Sequence, residues 1–397
     1  MENEELAEYG LAAIHEAELS ITNIVPTDSI VKKGSEGDIV TAWDSAVHES
    51  VSRFFAKRGI NICFLGEEGS YINNNPELVI LMDEIEGTQN AINALPYGTN
   101  IAISKFKNIL SFDDIAVAIV TNLRDGRKFV AIKNGETTIF DKGNTRKSLK
   151  KSTEIWEVPL GYMKTEDQRE RQQQVFNLFY SLFGPQCRSL DSTGTRLAEI
   201  VDRNVLVYAD WRDVTKPWDV IPSAFILNQA NLPCTDILGF PFTGAILARD
   251  GKLNMELGKN FLAGEKESYD RALTGAIKLY LTKSSVSDLL NGGSLLGEIK
   301  LPSELYRTQN LIARLTINPL DYGYIFLTQL ADADPSTMGR YMAKKFNDTI
   351  ADKKKAYGII KETSTISFKQ AVESYLEHLP SSKKIISTFE NNIGQPF

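Results

Sequence analysis

The chain has 397 residues and a formal net charge of −7, with 44 Lys and Arg against 51 Asp and Glu. That length allows one large or two moderate domains, and the acidic balance argues against wholesale binding of nucleic acid. Three scattered cysteines (Cys63, Cys187, Cys234) offer no metal-ligand spacing and no disulfide framework, and three histidines (His15, His48, His378) make a histidine-ligated zinc site or a histidine base unexpected.

The first residues, Met1-Glu2-Asn3-Glu4-Glu5, are acidic where a signal peptide is basic, and no apolar run reaches the ~18–20 residues of a membrane span. A cytoplasmic protein without a membrane partner is expected. Residues 3–20 carry Leu6, Tyr9, Ala13, Ile14 and Leu19 at near-helical spacing with Glu between them, which predicts an amphipathic helix. Lys32-Lys33-Gly34-Ser35-Glu36-Gly37 reads as a glycine-bearing loop. Asp38-Ile39-Val40-Thr41 then leads to a helix from about Asp44, its N-cap, to Lys57.

Two strands follow, and each ends in acids. Ile60-Asn61-Ile62-Cys63-Phe64-Leu65 runs into Gly66-Glu67-Glu68-Gly69, and Leu78-Val79-Ile80-Leu81-Met82 runs into Asp83-Glu84-Ile85-Glu86-Gly87-Thr88. Three carboxylates in four residues at the end of a buried strand repel one another unless a cation sits among them. Gly87 and Thr88 add backbone N–H groups and a hydroxyl suited to an anion. One acidic turn alone reads as well as a solvated loop. Two on neighbouring strand ends can share one edge of a sheet and hold Mg²⁺, which prefers oxygen ligands.

Strands are expected at 100–104, 115–120, 128–132 and 136–140, the last pair joined at Asn134-Gly135. Residues 165–183 read as a helix stopped by Gly184-Pro185, 196–201 as a short helix, and 205–209 as a strand. Asp219 opens a helix to about Ala230 with Pro222 in its first turn. The alternation of strands and helices points to a mixed α/β or α+β sandwich rather than a simple Rossmann fold. Beyond residue 283, 13 Lys and Arg face 12 Asp and Glu, so the segment is no charged arm. Its apolar residues, among them Leu311, Leu315, Tyr322, Tyr324 and Phe326, are too many for a disordered tail, and Asn291-Gly292-Gly293-Ser294 reads as a hinge. A mostly helical extension over 284–397 is expected, following a folded domain over 1–283.

Taken in order, these stretches resemble the inositol monophosphatase and fructose bisphosphatase superfamily of Mg²⁺-dependent, lithium-sensitive phosphatases. The resemblance is carried by Asp38-Ile39-Val40-Thr41 with Asp44, Gly66-Glu67-Glu68, and Asp83 to Thr88. Further on, Arg188-Ser189-Leu190-Asp191-Ser192, Pro217-Trp218-Asp219 and Thr235-Asp236-Ile237-Leu238-Gly239 continue it. It implies an α-β-α-β-α sandwich and a phosphomonoesterase of a small sugar or inositol phosphate, in a homodimer.

The resemblance also implies the site. Glu67, Asp83 and the Ile85 carbonyl become ligands of a first Mg²⁺, and Asp83, Glu86 and Asp219 of a second, with a third ion or Mn²⁺ also admissible. Glu67, Thr88 and Asp38 handle the attacking water, while Gly87, Thr88, Asp191 and Ser192 face the substrate. Arg212 and Lys216 match basic residues of the archaeal dual-specificity branch that reach a second phosphate.

Departures from the pattern are visible too. The family's usual Asp-Pro-Ile-Asp-Gly-Thr reads Asp83-Glu84-Ile85-Glu86-Gly87-Thr88, losing the proline that presets φ and adding a methylene at position 86. Asp191-Ser192 stands where Gly-Ser is usual. A non-catalytic relative that binds a phosphorylated metabolite or scaffolds partners, and a phosphatase of nucleotide bisphosphates, are the alternatives.

Overall fold

The computed structural model describes residues 1–22, 24, 30–33, 39–107, 109–142, 155–236, 239, 242, 245–247, 253–255 and 258–282. Asp38, the loop 34–37, the pair Ile237-Leu238 and the expected extension at 284–397 lie outside them.

Helix α1 (Asn3–Ile21) buries Leu6, Ala13 and Ile14 of the expected stripe, and Ala17 with them, while Tyr9 is half-buried and Leu19 is exposed. A short antiparallel pair, β1 (Ile30–Lys33) and β2 (Ile39–Thr41), leads into α2 (Ala42–Ala56). Thr41, not Asp44, is the N-cap of α2. Asp44 sits three residues on and accepts hydrogen bonds from the Thr41 amide and hydroxyl, both at 2.7 Å, in a capping box.

The chain next builds β3 (Ile62–Gly66), β4 (Ser70–Ile72), β5 (Leu78–Glu86), the short α3 (Thr88–Ile92), β6 (Gly98–Lys105), β7 (Leu110–Ser111), β8 (Val117–Asn122), β9 (Arg127–Ile132) and β10 (Thr137–Phe140). Asn134-Gly135 does join β9 to β10, which pair antiparallel. After β11 (Trp156–Glu157) come α4 (Glu166–Phe183), β12 (Cys187–Arg188), α5 (Thr193–Ala198), β13 (Val207–Asp210) and α6 (Pro217–Gln229). The last elements are β14 (Cys234–Asp236), β15 (Ala245–Leu247), β16 (Phe261–Gly264) and α7 (Lys266–Thr282). The α5 helix starts three residues before the expected Arg196, and α6 has Pro217 at its first turn, so Asp219 lies inside the helix rather than at its opening.

Seven strands form one sheet in the order β10-β9-β8-β6-β5-β3-β4, with only β3 and β5 parallel. A second sheet runs β12-β11-β13-β16-β14. Alternation along β3 and β5 sorts their side chains by face. Ile62, Phe64, Leu78, Ile80 and Met82 join the core formed with α1 and α2. Cys63, Leu65, Val79 and Leu81 join a second core with α5, α6 and the second sheet. On that sheet's outer side Trp156 packs against Phe176 and Phe179 of α4, and Thr235 hydrogen-bonds Tyr269 of α7 at 2.7 Å. The layers are therefore α-β-α-β-α, as expected. Among the described residues no helix is long and apolar enough to cross a membrane.

Candidate active site

The same alternation aims the acids. Asp83 continues the face of Val79 and Leu81, so it points toward α5 and α6 rather than α2. Because β3 and β5 run parallel with Gly66 beside Met82, Glu67 comes off β3 next to Asp83 and on the same side. Glu84 falls on the opposite face, where its Oε1 lies 2.7 Å from His48 Nδ1 of α2. Between Asp83 and Glu86 the register of β5 against β6 shifts. That irregularity resets the alternation: Ile85 joins the α2 core, and Glu86 turns to α5.

Asp219 approaches from the first turn of α6. Its Oδ2 accepts the Lys216 amide at 2.8 Å, so it serves as a capping residue and also meets the sheet. Glu67, Asp83 and Asp219 each offer a carboxylate oxygen within 4.8 Å of the other two. Burial, reinforced by the charges of Glu67 and Asp219, holds Asp83 well above the usual carboxylate range. Glu67 keeps an accessible edge, yet enclosure on its pocket side, with Asp219 second, raises it well above its ordinary value. Burial pushes Asp219 up to about 6, against the pull of the Lys216 backbone. Three carboxylates with oxygen donors only, raised by burial and, for Glu67 and Asp83, by charges within the trio, fit a hard divalent cation such as Mg²⁺ or Mn²⁺.

Glu86 is not part of this trio. Its Oε2 accepts hydrogen bonds from Ser192 Oγ at 2.6 Å, Thr195 Oγ1 at 3.2 Å and Thr195 N at 3.3 Å. Burial lifts it to about 7, with the Ser192 hydroxyl drawing it back. Ser192, expected to face substrate, is thus fully buried and directed at Glu86. Gly87 adopts φ 78°, a left-handed conformation that suits glycine, and begins α3. Thr88 Oγ1 donates to the Ile85 carbonyl at 2.9 Å and closes the turn that lost its proline. Its expected partner Asp38 lies outside the described residues.

These groups line a pocket of about 490 Å³. Glu67, Asp83, Ile85, Glu86, Gly87 and Thr88 line it together with Asp191, Thr193, Arg212, Thr215, Lys216 and Asp219. Arg212 is buried and grips protein acceptors. Its Nε and Nη2 reach Asp210 at 3.0 and 2.7 Å, and its Nη1 reaches Asp191 and the Gly161 carbonyl, both at 2.7 Å. It and Asp191 stand in the wall as an ion pair, with Lys216 beside them.

Sequence reasoning missed Tyr162, Lys164 and Gln168, which complete the wall from the segment entering α4. Tyr162 takes a left-handed φ of 56°. A Cβ on its neighbour Gly161 would collide with the Asp191 carboxylate, which would have to shift from its place beside Arg212 to admit one. No motif marks this segment; Gly161 was its only signal. The His48–Glu84 pair was missed as well, although Glu84 in place of a proline pointed to it.

Comparison with known proteins agrees with this geometry. A family model described as the inositol monophosphatase family matches residues 2–274. Among solved structures, the extragenic suppressor protein suhB from Bartonella henselae superposes with a TM-score of 0.55 at 14% identity, covering 68% of this chain and 98% of that one. Staphylococcal inositol monophosphatase-1, in a lithium chloride-soaked inhibitory complex, gives a TM-score of 0.53 at 15% identity over 69% and 95% of the two chains. The MJ0109 gene product, an inositol monophosphatase-fructose 1,6 bisphosphatase, gives 0.51 at 17% identity over 68% and 98%. At such identities the likeness shows the fold. A bifunctional NADP phosphatase/NAD kinase of Methanocaldococcus jannaschii is 27% identical over 139 residues, or 29% of this chain. The match spans 24% of that relative, about a quarter of its length.

Proposed function

The chain belongs to the inositol monophosphatase family, and from that premise we propose that it is a phosphoric monoester hydrolase that removes phosphate from a small sugar or inositol phosphate with the help of Mg²⁺. The observation that carries this reading is the convergence of Glu67, Asp83 and Asp219 within 4.8 Å at one end of a 490 Å³ pocket. When bound there, a divalent cation supplies positive charge against the carboxylates and the phosphoryl oxygens.

The chain's own groups do the rest. Lys216, in the same pocket lining as Gly87 and Thr88, attracts the phosphate. Glu67, with its accessible edge beside Asp83, orients the attacking water and accepts its proton. As the water oxygen bonds to phosphorus, the ester P–O bond breaks and the alcohol leaves protonated from solvent. Phosphoryl transfer asks mainly for positioning and charge, so this set suffices without a histidine. The Arg212–Asp191 pair gives the wall a fixed shape rather than a free cation.

A second reading, a phosphatase of a nucleotide such as NADP, is favoured by the match to the NADP phosphatase/NAD kinase. A phosphate-release screen over inositol monophosphate, fructose bisphosphate and NADP, with Mg²⁺ and with a chelator, tests both. Cation-dependent release from one of them is expected. Tight binding of a phosphorylated compound without release from any would support the non-catalytic alternative.

A further inference from the structure

Resting on the phosphatase reading above, we propose that His48 and Glu84 are positioning residues, whose bond ties the end of β5 to α2 and holds Asp83 and Glu67 in place from the face opposite the pocket. Residue 84 stands in the gap where β5 leaves register with β6, between the pairs Asp83–Asn100 and Glu86–Gly98. The ladder does not fix the backbone there. A proline would preset φ at such a position, and this chain carries Glu84 instead.

Two contacts take over that task. The Glu84 carbonyl accepts the Thr99 hydroxyl of β6 at 2.7 Å. The Glu84 side chain is 1% exposed, and its Oε1 lies 2.7 Å from His48 Nδ1. Among the described residues His48 is the one side chain that bonds this carboxylate, and Oε2 is buried without such a partner. Burying a carboxylate is costly unless it is bonded, so the place of this one depends on His48.

The hold extends to Glu67. A Cβ on Gly66 would fall 2.8 Å from Glu84 Oε1 and 2.6 Å from the Phe64 ring, so the carboxylate lies against the backbone of the residue before Glu67. The imidazole is itself fixed. Its centroid is 4.5 Å from that of Phe64 and 6.2 Å from that of Tyr71, two residues paired across β3 and β4. Tyr71 hydrogen-bonds Ser52 at 2.9 Å, one helical turn beyond His48 on α2. Close-packed interiors transmit displacements, so loosening Glu84 shifts the acids on either side.

Proline against alanine at position 84 separates positioning from packing. Glu84→Ala removes the bond and leaves φ unset; Glu84→Pro removes the bond and sets φ through the ring. Proline is a poor strand residue, so a purely structural role makes Glu84→Pro the worse variant. On the proposal the order reverses. Glu84→Ala should lower kcat for Mg²⁺-dependent phosphate release about tenfold with KM little changed, and Glu84→Pro should stay within about threefold of the wild type. His48→Leu against His48→Asn, whose amide can stand in for Nδ1, repeats the comparison from the helix side.

Mn²⁺ binding to the full chain without substrate, read from the paramagnetic resonance of free Mn²⁺, should follow the same order, with Glu84→Ala weakened about tenfold. In the metal-free protein His48→Leu and Glu84→Ala should lower the urea midpoint non-additively, because both act through one bond. Equal kcat and equal Mn²⁺ affinity in Glu84→Ala and Glu84→Pro would overturn the positioning role and leave the phosphatase reading standing. A wild type that releases phosphate from no ester and binds no Mn²⁺ removes that reading and the proposal with it.

Discussion

Two groups of acids in this molecule differ in one respect. Between the sheets, Arg196 lies 2.8 Å from Glu157 and also grips Glu199, while Arg127 reaches Glu199 and Asp202 and lies 2.6 Å from Asp125. Arg212 does the same for Asp210 and Asp191. At the pocket, Glu67, Asp83 and Asp219 meet, and among the described residues no arginine forms an ion pair with any of the three. Where acids hold the fold, an arginine pairs with them; at the candidate site the Lys216 charge draws on Asp219, and on the reading proposed above the rest of the opposite charge comes from a bound cation. Burial raises carboxyls in both places, Glu157 itself standing at about 7 with Arg196 drawing it back, so burial alone does not tell a site from a scaffold. The origin of the compensating charge does.

The largest effect should follow from removing the charge at the centre of the trio. Asp83→Asn is expected to lower Mg²⁺-dependent phosphate release by about 10³-fold or more, because no other group in the trio is both buried and flanked by the other two. Near-normal release would mean that the trio is not where the cation acts.

Breaking the scaffold should act on stability instead. Arg196→Met leaves Glu157 and Glu199 buried without this cation, and a stranded buried charge typically costs about 3–5 kcal/mol. Urea unfolding of the variant should show that loss with or without Mg²⁺. A change under about 1 kcal/mol would erase the distinction between the two groups.

A smaller effect, on the order of a few kcal/mol, should appear with pH in the metal-free protein. The folded-state values of Asp219, at about 6, and Glu86, at about 7, lie above their ordinary ones, and Glu67 and Asp83 are raised as well. Raised carboxyls bind protons more tightly when folded. Their contribution is therefore complete below about pH 4 and is lost as pH rises through about 6 to 7. Asp44, raised to about 7 mainly by burial, and Glu157 add to the same slope away from the trio. The urea midpoint should fall across that window, and Mg²⁺ at pH 8 should restore only the part due to the trio. A flat profile, or complete recovery, would break the comparison.

How much of this was legible beforehand follows from which interactions are local. The apolar run of Leu78 to Met82 identified β5, and the acids after it pointed to the candidate site. Counting by twos from Val79 also places Asp83 on the α6 side. The shift between Asp83 and Glu86 was not legible, because a bulge depends on the partner strand β6. Glu86 therefore read as a ligand although it turns to Ser192 and Thr195. Arg212 read as a substrate contact because its fate is decided by Asp210, Asp191 and Gly161, which only the fold brings together. Thr41 and Asp44 show the milder case: the four-residue capping pattern lay in the sequence, with only the roles of its two ends exchanged.

The smallest effect comes from a pair that belongs to neither group. Arg169 and Glu166, three residues apart on α4, approach to 2.7 Å with side chains 51% and 75% exposed. Water screens both charges about equally well in the folded and unfolded chain, and holding two long side chains together costs rotamer entropy. Such helix pairs contribute roughly 0.2–0.5 kcal/mol. Arg169→Ala should therefore shift the urea midpoint barely beyond error, leave the pH profile unchanged, and be insensitive to Mg²⁺. The proximity of this pair equals that of Arg212 to Asp191, also at 2.7 Å, so distance is held constant and burial is varied. A loss above about 1 kcal/mol in Arg169→Ala would show that proximity, not exclusion from water, sets the strength of these pairs, and the contrast between scaffold and site would lose its basis.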